Sequence, residues 1–266
     1  MIIGQRLGTT ELLYNCAVRM GLQPVWLAHD SLLAISTPLG ERYLYNGKNT
    51  INSQLSSNLT RNKLATRLII KQHRLPNIAF LNTANAKEAE QFLATHAKII
   101  VKPITGSNSH DVRIVDSPEQ LAGLDLAGYI LEKYIAGKEM RYLVLNGKVI
   151  AVHQSEYGES VAETRDLERI SYPESEWDSQ LVDLALKTTD ILGLRYGAVD
   201  YLIGAQGQVY ILEVNSSPGM KWFHAPSSGP MVDVAQAFLN AMLQDYHRQA
   251  SLAPDTVATY PVVAYS

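Results

Sequence analysis

Residues 200–219 read Asp200-Tyr201-Leu202-Ile203-Gly204-Ala205-Gln206-Gly207-Gln208-Val209-Tyr210-Ile211-Leu212-Glu213-Val214-Asn215-Ser216-Ser217-Pro218-Gly219. Two apolar runs flank a short loop bounded by Gly204 and Gly207, the pattern of a β-hairpin. Pairing symmetric about Ala205 and Gln206 sets Asp200 opposite Ile211. Because side chains alternate along a strand, Ile211, Glu213 and Asn215 then share the face of Asp200. Two carboxylates and an amide converging on apolar strands suit a hard cation such as Mg²⁺ better than a thiolate-seeking metal. The plainer alternative is a solvated strand edge. The flanking Val, Ile, Leu and Tyr residues argue instead for burial, where carboxylates need a cation or hydrogen bonds.

The rest of the chain sets bounds on this reading. It has 266 residues, 46% hydrophobic and 18% charged, enough for one large domain or two to three lobes around a real core. A formal net charge of −3 disfavours non-specific nucleic-acid binding. Cys16 is the single cysteine, so neither an intramolecular disulfide nor a cysteine zinc site can form. Residues 1–10 lack a signal-peptide pattern, and no apolar run approaches the ~18 residues of a membrane span. A cytoplasmic protein without membrane or nucleic-acid partners is the expectation.

Leu12, Leu13, Cys16, Ala17 and Met20 fall at helical spacing, Gly21 stops that helix, and Val25-Trp26-Leu27 reads as a strand. Residues 1–55 read as a small α/β lobe. Residues 46–58 are polar and read as loop or linker, with Thr60 as N-cap of a helix carrying Leu64, Leu68 and Ile69. Residues 86–96 read as a helix, 98–103 as a strand entering a small polar loop from Thr105 to Ser109, and 129–134 as another strand. Asn146-Gly147 marks a hairpin within residues 140–152. Residues 153–173 read as an irregular loop, 181–191 as an amphipathic helix, and Val234, Phe238, Met242 and Tyr246 as a last helix. Strands and helices mix without βαβ alternation, so the fold class is α/β of the mixed, α+β kind.

Several positions carry chemistry. Lys102 ends an apolar strand before a Gly-Ser loop whose N–H groups suit a phosphate. Lys63 lies on a helix face. The backbone after Glu132 could line a slot for a flat ring, and Glu139 could accept from a ribose diol. Arg141 opens a buried strand, where a permanent charge usually faces an anion. Arg165 lies in the irregular loop. The chain has no P-loop, no dinucleotide-binding glycine fingerprint, no His-Glu-x-x-His and no nucleophile elbow.

In order along the chain, Asn62-Lys63, Val101-Lys102-Pro103, Glu132-Lys133-Tyr134-Ile135 through Glu139-Met140-Arg141, Gly197-Ala198-Val199-Asp200 and Glu213 to Gly219 resemble an ATP-grasp enzyme. The last motif is similar to that of RimK-like ligases. The start resembles the ATP-grasp modules of cyanophycin synthetase and bifunctional glutathione synthetase. The resemblance implies two α+β lobes gripping ATP, residues 56–135 and 136–249, after a truncated pre-ATP-grasp lobe at 1–55 and before a tail at 250–266. It implies an ATP-dependent carboxylate–amine ligase that forms an amide through an acyl phosphate, with an amino acid or peptide as substrate.

The resemblance also implies roles. Lys63 and Lys102, with Gly106 and Ser107 of the covering loop, contact phosphates. Glu132, Lys133, Tyr134 and Ile135 lie beside adenine, and Glu139 binds ribose. Asp200, Glu213 and Asn215 hold Mg²⁺, as two ions that Mn²⁺ can replace. Arg141, Lys102, Asn215 and Arg165 form the catalytic set. A homodimer is one assembly this reading allows. Two departures stand out: Asn108, Ser109 and His110 occupy positions where glycine is common, and the loop from His153 to Arg169 lacks an Arg-Gly-Gly pattern, leaving the acceptor unread. A non-catalytic ATP-binding sensor or scaffold, and a phosphotransferase to a non-carboxylate acceptor, stay open as alternatives.

Overall fold

The computed structural model describes residues 7–37, 40–46, 51–106, 111–155 and 168–252. Three antiparallel sheets organise these segments. The first joins β1 (Gln23–Ala28), β2 (Leu32–Thr37) and β3 (Gly40–Tyr45), preceded by α1 (Thr9–Arg19). Helices α2 (Gln54–Arg61) and α3 (Lys63–Gln72) lead to the second sheet. It comprises β4 (Phe80–Leu81), β5 (Ile99–Pro103), β6 (Arg113–Val115) and β7 (Tyr129–Lys133), in the order β4-β7-β5-β6, with α4 (Ala86–His96) and α5 (Pro118–Leu121) beside it. The third sheet is built from β8 (Gly137–Leu145), β9 (Lys148–Ser155), β10 (Arg169–Tyr172), β11 (Tyr196–Gly204) and β12 (Val209–Asn215), in the order β10-β9-β8-β11-β12. Helix α6 (Ser179–Ile191) packs on it; α7 (Lys221–His224) and α8 (Val234–Leu252) close the described chain.

Local chemistry explains the boundaries and corrects four sequence expectations. Residues 54–58, read as the end of a linker, belong to α2, because the Ser53 hydroxyl accepts from the Ser56 N–H and caps it. Asn62, not Thr60, caps α3: its side chain accepts from the Ala65 N–H, while Thr60 is buried within α2. Within the expected irregular stretch 153–173, β9 runs to Ser155 and residues 169–172 pair with it as β10. Residues 156–167 lie outside the described residues, as do 253–266 of the expected tail.

The fourth correction concerns the deciding hairpin. Ile203 pairs with Val209 and Tyr201 with Ile211, but the register shifts between Tyr201 and Asp200, so Asp200 lies opposite Glu213. The extra residue, Leu212, is a β-bulge. Ile211 therefore faces away from Asp200, buried with Tyr201, Tyr142 and Val199 against Leu181 and Ala185 of α6. The bulge brings Glu213 onto the face of Asp200 as a direct cross-strand pair of carboxylates.

The two faces of the third sheet differ in what they meet. One packs on α6. The other carries Leu143, Leu145, Ala151 and Ala198 into a core shared with Leu13 and Cys16 of α1, Leu33, Ile35 and Leu44 of the first sheet, and Val234, Phe238 and Leu239 of α8. Only the charged part of that face is left for chemistry. A separate small cluster, including Leu93, Ile99, Val101 and Leu131, supports the second sheet.

Candidate active site

Cross-strand pairing lays one polar row across the third sheet. Ser171 pairs with His153, His153 with Arg141, Arg141 with Asp200, and Asp200 with Glu213. Paired residues share a face, so five side chains from five strands point the same way. Glu139, two residues before Arg141, and Asn215, two after Glu213, join that face.

Within the row, Arg141 donates to both Asp200 carboxylate oxygens, Nε to Oδ1 at 2.6 Å and Nη2 to Oδ2 at 2.7 Å. The Asn215 amide nitrogen donates to Asp200 Oδ2 at 3.0 Å. Although burial opposes charge, Asp200 keeps the Arg141 guanidinium firmly protonated. Burial, then the nearby Asp200 charge, pushes the Glu139 carboxyl up to about 8. The face thus carries more negative charge than Arg141 balances.

A second group comes from α3 and the second sheet. The buried Glu132 carboxylate lies between Arg67, at 2.7 Å, and Lys102, at 2.8 Å. Burial alone would raise its pKa; the Lys102 and Arg67 charges outweigh this and hold it at about 2. Lys63 donates from Nζ to the Gly106 carbonyl at 3.0 Å, and its own N–H donates to the Ile104 carbonyl. Burial lowers the Lys63 ammonium, and Glu213, Lys102 and Glu132 are the charges it feels. Its two hydrogen bonds tie Lys63 to the loop that follows β5.

Lys133, Tyr134 and Ile135 line a cleft of about 200 Å³ together with Ala136 and the Gly204–Tyr210 end of the β11–β12 hairpin. The Glu132 side chain turns inward to the two cations. Among the expected residues, the structure brings Lys63, Lys102 and Glu132 into one group and Glu139, Arg141, Asp200, Glu213 and Asn215 onto one face. Gly106 lies against Lys63. Ser107 and Arg165 lie outside the described residues, with Asn108, Ser109 and His110 and the acidic segment 156–167.

Sequence reasoning missed Arg67 and His153. Arg67 sits on the buried face of α3, and only its unusual place among Thr66 and Ile70 signalled it. His153 is 1% exposed, and neither ring nitrogen is hydrogen-bonded; the Ser171 hydroxyl beside it is likewise unbonded. Burial, then Arg141 and Arg169, holds His153 neutral, and its ring lies 4.7 Å from that of Phe223.

The donor set at the other end of the row fits a hard divalent cation. Asp200 and Glu213 are paired carboxylates and Asn215 adds an amide, oxygen donors that suit such a cation. Among the described residues, no three His, Cys, Asp or Glu side chains are already gathered as a ready-made metal cluster. No helix among the described residues is long and apolar enough to cross a membrane.

Comparison with known proteins identifies the fold and the family. A D-alanine–D-alanine ligase of Lacticaseibacillus casei is 25% identical over 195 residues, covering 65% of this chain and 53% of the relative. The chain thus spans about half the length of that relative. The fold is similar to that of the ATP-grasp ligase PsnB complexed with minimal precursor, with a TM-score of 0.62, 21% identity, and coverage of 73% of this chain and 64% of that one. It is similar also to a bifunctional glutathione synthetase from Pasteurella multocida, with a TM-score of 0.64, 16% identity, and coverage of 89% and 44%. The RimK-like ATP-grasp domain model matches residues 60–242, a span that holds both the inward-facing cations and the whole polar row, and the chain belongs to this family.

Proposed function

We propose that this chain is an ATP-dependent carboxylate–amine ligase that forms an amide bond through an acyl phosphate and releases ADP and phosphate. The observation that supports it best is the row Arg141–Asp200–Glu213, with Lys63 close enough to feel the Glu213 charge. A phosphoryl group between these elements meets cations on both sides. Lys63 and Lys102 bind the nucleotide phosphates, and backbone groups of Lys133 to Ile135 orient the base in the cleft. Glu139 is the partner for ribose.

Asp200, Glu213 and Asn215 hold Mg²⁺, as a pair of ions for which Mn²⁺ substitutes; the metal supplies neutralisation of phosphate charge. Arg141 leaves Asp200 to meet the transferring group, which spreads negative charge over its oxygens. The amine then attacks the activated carbonyl. Catalysis is positioning and charge stabilisation, with no covalent enzyme nucleophile. Substrates are an amino acid or a peptide, in line with the precursor-bound PsnB neighbour.

The test is ADP release from Mg·ATP with a pool of amino acids and short peptides, read by mass spectrometry for a condensed product. Glu213→Gln and Asn215→Ala are expected to abolish turnover with unchanged far-UV circular dichroism. Normal turnover in both variants overturns the assignment. ATP binding with no condensed product from any pool favours a sensor or scaffold, and a stable phosphorylated product favours a phosphotransferase.

A further inference from the structure

Arg67 joins Glu132 of the second sheet to the β12 strand of the third. It is 3% exposed and uses its whole guanidinium. Nε donates to Glu132 at 2.7 Å, Nη1 to the Ile211 carbonyl and to Asn77 Oδ1, and Nη2 to the Leu212 carbonyl at 2.8 Å. Ile211 and Leu212 are the residues at which the β12 register shifts. β12 is an edge strand, so these carbonyls lack a neighbouring strand on their outer side. The segment after α3 covers that edge: the Ile211 N–H donates to the Pro76 carbonyl, and Asn77 forms a parallel bridge with Ile211.

The bulge decides where Glu213 points. Without it, the pairing set at the turn would put Leu212 opposite Asp200 and Glu213 opposite Val199, on the face that packs against α6. A bulge leaves backbone carbonyls outside the ladder, and buried carbonyls need donors. Arg67 supplies them through two nitrogens and binds through the third to Glu132, whose other oxygen holds Lys102. One rigid, permanently charged fork thus joins the phosphate lysine of one sheet to the metal-side strand of another.

We propose that Arg67 is a positioning residue that holds the β12 bulge in register, so that Glu213 and Lys102 act on one nucleotide. This rests on the ligase reading for the identity of the nucleotide and the metal, not for the coupling itself. Arg67 touches no reacting atom; it acts through Glu213 and Glu132. Loss of such outer partners typically costs about 10–100-fold in metal affinity.

The experiment titrates Mg²⁺ by calorimetry into the full chain saturated with the non-hydrolysable analogue AMPPNP. It compares wild type, Arg67→Lys and Asn77→Ala, with a denaturant midpoint for each. Lysine keeps the charge beside Glu132 but cannot serve both bulge carbonyls in the same fork. Asn77→Ala leaves the guanidinium in place and removes its brace, the Asn77 Nδ2 bond to the Arg67 carbonyl at 3.0 Å included. The expected result is a tenfold or greater rise in half-saturating Mg²⁺ for Arg67→Lys and a smaller rise for Asn77→Ala. In an activity assay, kcat should fall more than KM for ATP rises. Folded variants with wild-type Mg²⁺ dependence overturn the proposal, because a merely structural arginine would move only the midpoint. Should Arg67→Lys fail to fold, an unchanged Mg²⁺ dependence in Asn77→Ala still overturns it. A wild type that binds Mg·AMPPNP but makes no product refutes the ligase reading and leaves this test intact.

Discussion

At the scale of single residues, Glu132 is the most tightly held charge in the site. Its carboxyl sits at about 2 when folded, against 4.5 for the free group. The folded-state value is depressed, so the carboxylate contributes stability that is fully present above pH 4.5 and lost as pH falls toward 2. The shift corresponds to about 3 kcal/mol. Glu132→Gln removes that contribution and leaves Arg67 and Lys102 buried without their counter-charge. The stability gap between wild type and Glu132→Gln, from urea unfolding at a series of pH values, should be widest near pH 7. It should narrow by about 3 kcal/mol as pH falls through the window from 4.5 to 2. A gap that stays constant with pH would mean that Glu132 is not held ionised by these two cations.

At the scale of elements, the strands were legible because their chemistry is local. Asn146-Gly147 adopts positive φ at both positions, 49° and 73°, so the β8–β9 turn follows from two residues. Helix α4 begins where Asn85 caps it, and the apolar spacing of Leu181, Ala185 and Thr188 gives α6 directly. The bulge at Leu212 was not legible, because its carbonyls are satisfied by Arg67, some 145 positions away in sequence. Nor was β10: it is held by long-range pairing to β9 and by the Ser228 carbonyl, which accepts from the Ser171 N–H. The candidate site was legible through its acidic and basic residue types, yet their partners were not. Arg141 was read as facing an anion, and the anion it faces is Asp200. Close approach sets another element-scale constraint. A Cβ on Gly137 would lie 2.4 Å from the Ile203 carbonyl oxygen, where β8 begins against β11. Gly137→Ala should therefore cost about 1–3 kcal/mol by forcing the strands apart. It should also weaken ATP binding, since the adjoining Tyr134–Ala136 and Gly204–Tyr210 segments form the two walls of the cleft. Calorimetric unfolding and nucleotide titration measure the two effects separately, and wild-type values in both would show that the crossing tolerates a methyl group.

At the scale of the whole molecule, sequence reading divides the chain into lobes at residues 1–55, 56–135 and 136–249, while packing ties the first to the last. Leu13 and Ala17 of α1 share one core with Leu143 and Ala198 of the third sheet and with Phe238 of α8. Arg19 also pairs with Asp233 at 2.6 Å across that contact. The same sheet face that carries Arg141 and Asp200 at one end is thus covered by the N-terminal elements at the other. A core shared in this way should unfold as one unit. Two tryptophans report on opposite sides of it: Trp26 stacks on Tyr14 of α1, and Trp177 lies with the cluster on the α6 face. In single-tryptophan variants, both probes should show the same urea midpoint. Leu13→Ala, which empties a fully buried site, should lower both midpoints together by about 2–5 kcal/mol of stability. The second-sheet cluster around Leu93 and Val101 touches neither probe, so the result bears only on the union of the first and last segments. A Trp26 transition that moves alone, with Trp177 unchanged, would make residues 1–55 an independent lobe, and the active-site face would then owe nothing to the segment that covers its far end.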